Sequence, residues 1–416
     1  MKIYKRLPSL INKNLTPQQA IMFGFIFNFF CYFIMILRAV NGSAKKDWGY
    51  SEFLLNYSEG FIRRGLPGTV LQTINKFFGL DPYLFLTVVL SITLLLILLI
   101  FYFLLNSTKV TASTIIFLSS NPLLLNAPFL SVTMFRKDWL IILGLMVHAY
   151  FARLVLFEKI TTVKYIMFLF FLIIYSQLAI LSHEITFLFV FVHYFLIRNI
   201  RQCFSNFELK FIKKLYIFFF VIQLSTFLYL IMNHGASDQA EKIAKSVSTY
   251  TEIGSINAIL SFGSSSSQVL SGGLNLANFL DNSLNYSIWF FIGPYLIFRV
   301  LKPKHMRTLL VPLLSTLPVL TLFILIGGDW GRWLTLLCFT FFIILVSDWQ
   351  FINIYSNSNL YSLKLLKPLF KSKSLIVVLS IYFASLLFRA PVGNPTSIGD
   401  IGSGVFEIIY RYISSL

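Results

Sequence analysis

Charge is what this sequence has least of. Asp, Glu, Lys and Arg make up 12% of its 416 residues, against 57% hydrophobic ones. A water-soluble domain carries about twice that charged fraction, so a soluble fold is excluded. Acidic residues are scarcer still, 16 Asp and Glu against 34 Lys and Arg. Cysteine is nearly absent. Of the three, Cys31 and Cys338 fall in apolar runs and Cys203 in a basic stretch. No pair is placed for a disulfide, and no Cys-x-x-Cys metal spacing occurs. P-loop, Asp-x-Asp and Rossmann glycine patterns are missing too, so the sequence calls for no nucleotide, metal or other cofactor. It shows no internal repeat and no soluble domain, which leaves residues 1–416 as one transmembrane helical domain.

What the chain has instead is apolar runs near the roughly 20 residues that a helix needs to cross a bilayer. In lipid, backbone N–H and C=O groups must be satisfied within the segment, so such runs predict helices. The expected fold is all-α and polytopic, with about eleven spans: 18–40, 83–105, 113–130, 139–157, 164–182, 185–198, 215–232, 286–301, 308–327, 333–348 and 374–390. The first run is too long, and lacks the small-residue cleavage site, to be a removed signal peptide. Threading from a cytoplasmic N-terminus puts 21 Lys and Arg on the inner side, with only Glu158, Glu208 and Asp348 to oppose them. The outer side keeps 13 basic and 13 acidic residues, so the inner side carries the whole net charge of +18. This is the positive-inside asymmetry of a multi-pass membrane protein, and it accounts for the basic balance without nucleic acid as a partner. The longest extramembrane piece is the outer segment 233–285, rich in Ser, Gly and Asn.

The least ordinary stretch lies in the first outer segment, 41–82: Tyr57-Ser-Glu-Gly-Phe-Ile-Arg-Arg-Gly-Leu-Pro-Gly68. The guanidinium forks of Arg63 and Arg64 match the paired oxygens of diphosphates and carboxylates, and Glu59 adds a carboxylate. Read more simply, this is an interfacial turn whose arginines touch lipid headgroups. From Thr69 to Phe78 apolar residues recur near helical spacing, which predicts a helix in the membrane interface. Three further charged clusters fall on the same side: Arg136-Lys137-Asp138, His183-Glu184, and Asp329 with Arg332 in Gly327-Gly-Asp-Trp-Gly-Arg-Trp333. Ionisable groups at such depth are costly unless paired or wet, and so mark sites. If the helix ends converge, the clusters offer cations for a diphosphate and carboxylates for acid–base work. Each has a plainer reading. The first is a set of boundary charges in which Asp138 beside its basic neighbours orients a substrate or merely faces water. Glu184 is either a general base or the partner of an arginine. Trp330 and Trp333 either stack on sugar rings, with Asp329 and Arg332 beside them, or belong to an interfacial aromatic belt. His148 and His193, inside apolar spans, read as core residues, and His234 at the edge of the long segment stays open.

A multi-spanning chain of this length, rich in Phe, Ile and Ser and with paired arginines in an outer loop, resembles the Wzy-type polymerases of bacterial O-antigen and capsule. The resemblance is one of architecture and runs the whole chain. It implies a bacterial inner-membrane enzyme of lipopolysaccharide or capsule synthesis that acts on undecaprenyl-diphosphate-linked oligosaccharide at the periplasmic face, with a chain-length regulator as a partner. On that pattern Arg63, Arg64 and Arg136 hold the diphosphate, Glu59 or Glu184 activates the acceptor hydroxyl, and Asp329, Trp330 and Arg332 hold sugar. The family pattern has arginines in two large outer loops, whereas segment 233–285 has none and only Lys242 and Lys245. The chain also resembles GT-C membrane glycosyltransferases, which place an acidic catalytic residue in the first outer loop (here Asp47, Glu52 or Glu59) and polar residues in the second (here Asp138). O-antigen ligase is similar in chemistry, with His234 as the supporting residue. The non-enzymatic alternative is a flippase for lipid-linked oligosaccharide. A flippase needs charges deep in several spans around a central cavity, and the mid-span positions here are nearly free of charge.

Overall fold

The computed structural model describes residues 15–42, 45, 48–108, 111–120, 134–233, 235–251 and 253–263, with parts of 336–347 and 376–382. Among them the regular elements are helices and no strand occurs. In chain order these are α1 (Pro17–Val40), α2 (Trp48–Phe53), α3 (Leu66–Phe78), α4 (Pro82–Asn106), α5 (Ala112–Ser120), α6 (Asp138–Leu156), α7 (Thr162–Ser182), α8 (Val190–Asn199), α9 (Asn206–Met232), α10 (Ser237–Ser246) and α11 (Ile253–Leu260). Five of them, α1, α4, α6, α7 and α9, are long and apolar enough to cross a membrane.

Four of these five match expected spans closely, and in three of them a side chain that satisfies the first free N–H groups marks where the helix begins. Thr16 caps α1 and Pro17 opens it. Asp81 accepts from the N–H of Leu84 at 2.8 Å ahead of Pro82 in α4, and Thr161 caps α7. The fifth, α9, begins well before residue 215. Ser205 and Glu208 form a reciprocal capping box, so the basic stretch around Lys210, Lys213 and Lys214 is the first part of a helix. The expected span 185–198 is not one span. It is a 3-10 turn, Glu184–Phe189, followed by the ten-residue α8, which at 1.5 Å per residue reaches only about 15 Å. Span 113–130 is seen as α5, and its remainder lies outside the described residues, as do 286–301 and 308–327. Spans 333–348 and 374–390 appear as helical residues within 336–346 and 376–382.

The bundle is built around α6. Two-thirds of its most apolar window is buried (67%), against 22% for the peripheral α9. It packs on α4, α7 and α8 and divides the core. On one side α1, α2, α4, α5 and the residues in 336–346 pack together, and on the other α7, α8 and α9. With lipid as apolar as the core, such helices need polar ties between them. Asn28 Nδ2 donates to Tyr102 Oη (2.6 Å) and Ser119 O (3.0 Å), tying α1 to α4 and α5. Gln223 donates to Gln177, and Gln177 to Thr226, across α7 and α9. His148 and His193 are core residues: their Nδ1 atoms lie 2.8 Å apart, and His148 Nε2 meets Tyr165 Oη.

At the end of the bundle that the expected threading puts outside, α6 begins and α7 ends. Segment 45–78 lies there too. The described part of the long outer segment, rather than forming a Ser/Gly-rich coil, folds back onto it. Gln239 Nε2 donates to Glu59 O (3.0 Å), the hydroxyls of Ser51 and Thr251 meet at 2.8 Å, and Tyr250 reaches Asn75.

Candidate functional site

The arginine pair sits in a turn closed by the Gly65 N–H on Ile62 O (3.2 Å). Beyond it α3 starts hard against the chain: a Cβ on Gly68 would stand 2.0 Å from Leu55 O. Arg64 has φ +63°. Left-handed backbone costs a non-glycine residue roughly 1 kcal/mol, and here it parts two neighbouring side chains. Arg64 turns into the protein. Its Nε donates to Glu184 Oε2 at 2.7 Å and its Nη2 to Glu184 Oε1 at 2.6 Å, a fork on a fork. Its Nη1 lies 3.5 Å from Glu52 Oε2, and Glu52 also accepts from Trp48 Nε1 (3.0 Å).

Lys137, 1% exposed, holds this arrangement through backbone atoms. Its Nζ donates to Glu52 O at 2.8 Å and faces Arg64 O at 3.5 Å. Next to it Asp138 opens α6, and its Oδ1 lies 3.3 Å from His183 Nε2 at the end of α7. Asp138 thus carries the sign of charge that its helix end favours. His183 Nδ1 in turn faces Glu184 Oε2 at 3.8 Å. Asp138, His183, Glu184, Arg64 and Glu52 therefore form a line of alternating acids and bases.

Burial alone would raise the Glu184 carboxyl. The Arg64 guanidinium, with His183 beside it, reverses this and holds it well below the usual carboxylate range. A carboxylate so tied is a poor proton acceptor. Arg63 is placed differently. Burial lowers its guanidinium from the ordinary value, with Glu184 opposing and Arg64 reinforcing the shift, and it stays a cation. No described residue forms a hydrogen bond or ion pair with it, and its Nε is buried without a partner. The Phe262 ring lies 5.4 Å from Arg63 and 4.9 Å from Arg64.

Three of the four charged clusters thus meet, and Arg64, Asp138 and Glu184 are in direct line. Glu59 does not join them. It is exposed on the turn, with its carbonyl taken by Gln239, and Glu52 stands in the line instead. Arg136 lies partly buried beside Lys137, its N–H on Met134 O. Asp47, His234, Asp329, Trp330 and Arg332 lie outside the described residues. Sequence reasoning missed Phe262, the backbone clamp of Lys137 and the pairing of Glu52. The Trp48-to-Glu52 spacing of four was a legible sign of the last, whereas a lone Phe in a Ser-rich run signals nothing. Among the described residues no three His, Cys, Asp or Glu are grouped to hold a metal ion.

Chemically, the arrangement offers one fixed, neutralised network and, at its edge, a cation under an aromatic ring with donors to spare. Compared with known protein families, curated proteins and solved structures, the chain has no match.

Proposed function

We propose that this protein joins lipid-linked oligosaccharide units at the outer face of a bacterial inner membrane. A growing saccharide moves from undecaprenyl diphosphate to the next lipid-linked unit. One observation carries the reading: beside a buried acid–base line, at a membrane boundary, Arg63 has no carboxylate partner among the described residues. A diphosphate needs cationic charge that is not already neutralised. Arg64 is spent on Glu184 and Glu52, so Arg63 is the group to receive it.

The reaction makes one bond and breaks one. The acceptor hydroxyl oxygen attacks the anomeric carbon, the bond from that carbon to the diphosphate oxygen breaks, and the hydroxyl proton passes to a base. Arg63 would stabilise the negative charge that builds on the leaving diphosphate. Glu59, exposed and four residues from Arg63, has room to meet a hydroxyl, which the tied Glu184 lacks. Asp329, Trp330 and Arg332 are proposed to hold sugar.

The test is a gel of surface polysaccharide from the source bacterium with this gene deleted. Collapse of the long-chain ladder to lipid A–core bearing one repeat unit is the expected outcome. An unchanged ladder removes the reading.

A second reading has its own support. Glu52 in the first outer segment and Asp138 in the second stand in one network, the pattern that a GT-C glycosyltransferase implies. In that case the deletion removes even the single unit.

A further inference from the structure

One edge of α3 faces no described part of the protein. Gly68 and Leu71 are buried against the bundle, while Val70, Phe77 and Phe78 point away, the last two 74% and 75% exposed. Val70, Ile74 and Phe77 share a face at helical spacing. A patch of this kind in water is unfavourable, and monomeric proteins rarely leave one bare. Its polar neighbours fit a membrane surface: Lys76 is exposed in the last turn, where a cation suits both the helix end and lipid phosphates.

The turn that follows fixes how α3 meets the span after it. Gly79, at φ +65°, caps α3 with its N–H on Asn75 O (2.8 Å). Asn75 Nδ2 clips Leu80 O at 2.9 Å, and Asp81 caps α4 one residue later. The exposed edge then runs without a break from Phe77, Phe78 and Leu80 into Leu84, Val88, Ile92, Leu96 and Leu99. These last five recur every three or four residues along the most apolar described span, which makes them its lipid-facing stripe.

We propose that α3 is a membrane-surface anchor whose Val70, Phe77, Phe78 and Leu80 edge is immersed in the phospholipid of the same leaflet that the stripe of α4 enters. The partner is the leaflet itself, because the patch is continuous with the exposed apolar stripe of α4, a helix long and apolar enough to cross a membrane. The arginine turn immediately before α3 is thereby held at headgroup height, and this holds whatever reaction the chain performs.

The experiment uses the unaltered full-length protein in phospholipid nanodiscs. It is photolabelled in parallel with a diazirine carried on a phospholipid acyl chain and with a water-soluble diazirine, and labels are located by mass spectrometry. Ile92 serves as the lipid reference and Asp238, on an exposed turn of α10, as the water reference. Phe77 and Phe78 are expected to take the lipid-borne label as Ile92 does, several-fold above their labelling from water. Labelling from water at the level of Asp238 overturns the proposal. Labelling by neither reagent also overturns it, because the edge is then covered by protein.

Discussion

Both arginines lie near the Phe262 ring, but the left-handed backbone at Arg64 sends its guanidinium among carboxylates while Arg63 has no ion pair among the described residues, so the two positions respond differently to substitution. Arg64→Ala takes both fork hydrogen bonds from Glu184 and leaves it His183 as its ion-pair neighbour among the described residues, at a cost of about 1.5–3 kcal/mol. Poor accumulation in the membrane and a lower melting temperature in detergent are the expected results. Arg63→Ala loses only its ring contact, roughly 1 kcal/mol, so its melting curve should stay close to that of the parent. If the proposed function holds, its polymer-forming rate should drop roughly ten- to a hundredfold, the worth of one charge-assisted hydrogen bond. Glu184 also gives a pH dependence. Its carboxyl lies below the value of about 4.3 of an unfolded glutamate, so the folded state gives up the proton more readily. The stabilisation is complete above that value and is lost as pH falls through the folded one. The melting-temperature gap between the parent and Glu184→Gln should therefore be constant through neutrality and close in acid. That charged clusters distant in sequence gather at one end of the bundle was legible in the sequence. Which arginine is neutralised was not, because it depends on the φ of Arg64, and arginine has no preference for that conformation.

Helices were read well where capping chemistry and a long apolar run agree, as at Thr16, Asp81 and Thr161. They were misread where apolar composition hides a change of geometry. Nothing in Ile185-Thr-Phe-Leu-Phe189 distinguishes a 3-10 turn from the start of a span. The start of α9 was written in Ser205 and Glu208, but the lysines that follow look like a loop. Segment 233–285 looks like a loop by its Ser and Gly content, yet Ala240, Ile243 and Ala244 are spaced to bury one face of α10. The junction before α3 offers a test of element packing. Gly68→Ala places a methyl group against Leu55 O, which is backbone and cannot rotate away. Overpacking of this kind costs about 1–3 kcal/mol. A lower melting temperature is expected, along with reduced activity, since the turn carrying both arginines ends where α3 begins.

For the molecule as a whole, the side on which the cluster sits decides what substrate it can meet. The charge asymmetry of the sequence predicts the outer side, and on that prediction a reporter active only outside the cytoplasm, fused after Asn285, should be active. Silence there would put the arginines in the cytoplasm and end the outer-face reading. The bundle also has an order in time. Glu184 is made 120 residues after Arg64, and Lys137 73 residues after it. At roughly 5–20 residues per second, the arginine turn waits roughly 6–24 seconds for its carboxylate fork. During synthesis the arginine turn therefore has Glu52 beside it but not yet Glu184 or Lys137, and the surface on which α3 rests is what holds it until α6 and α7 arrive.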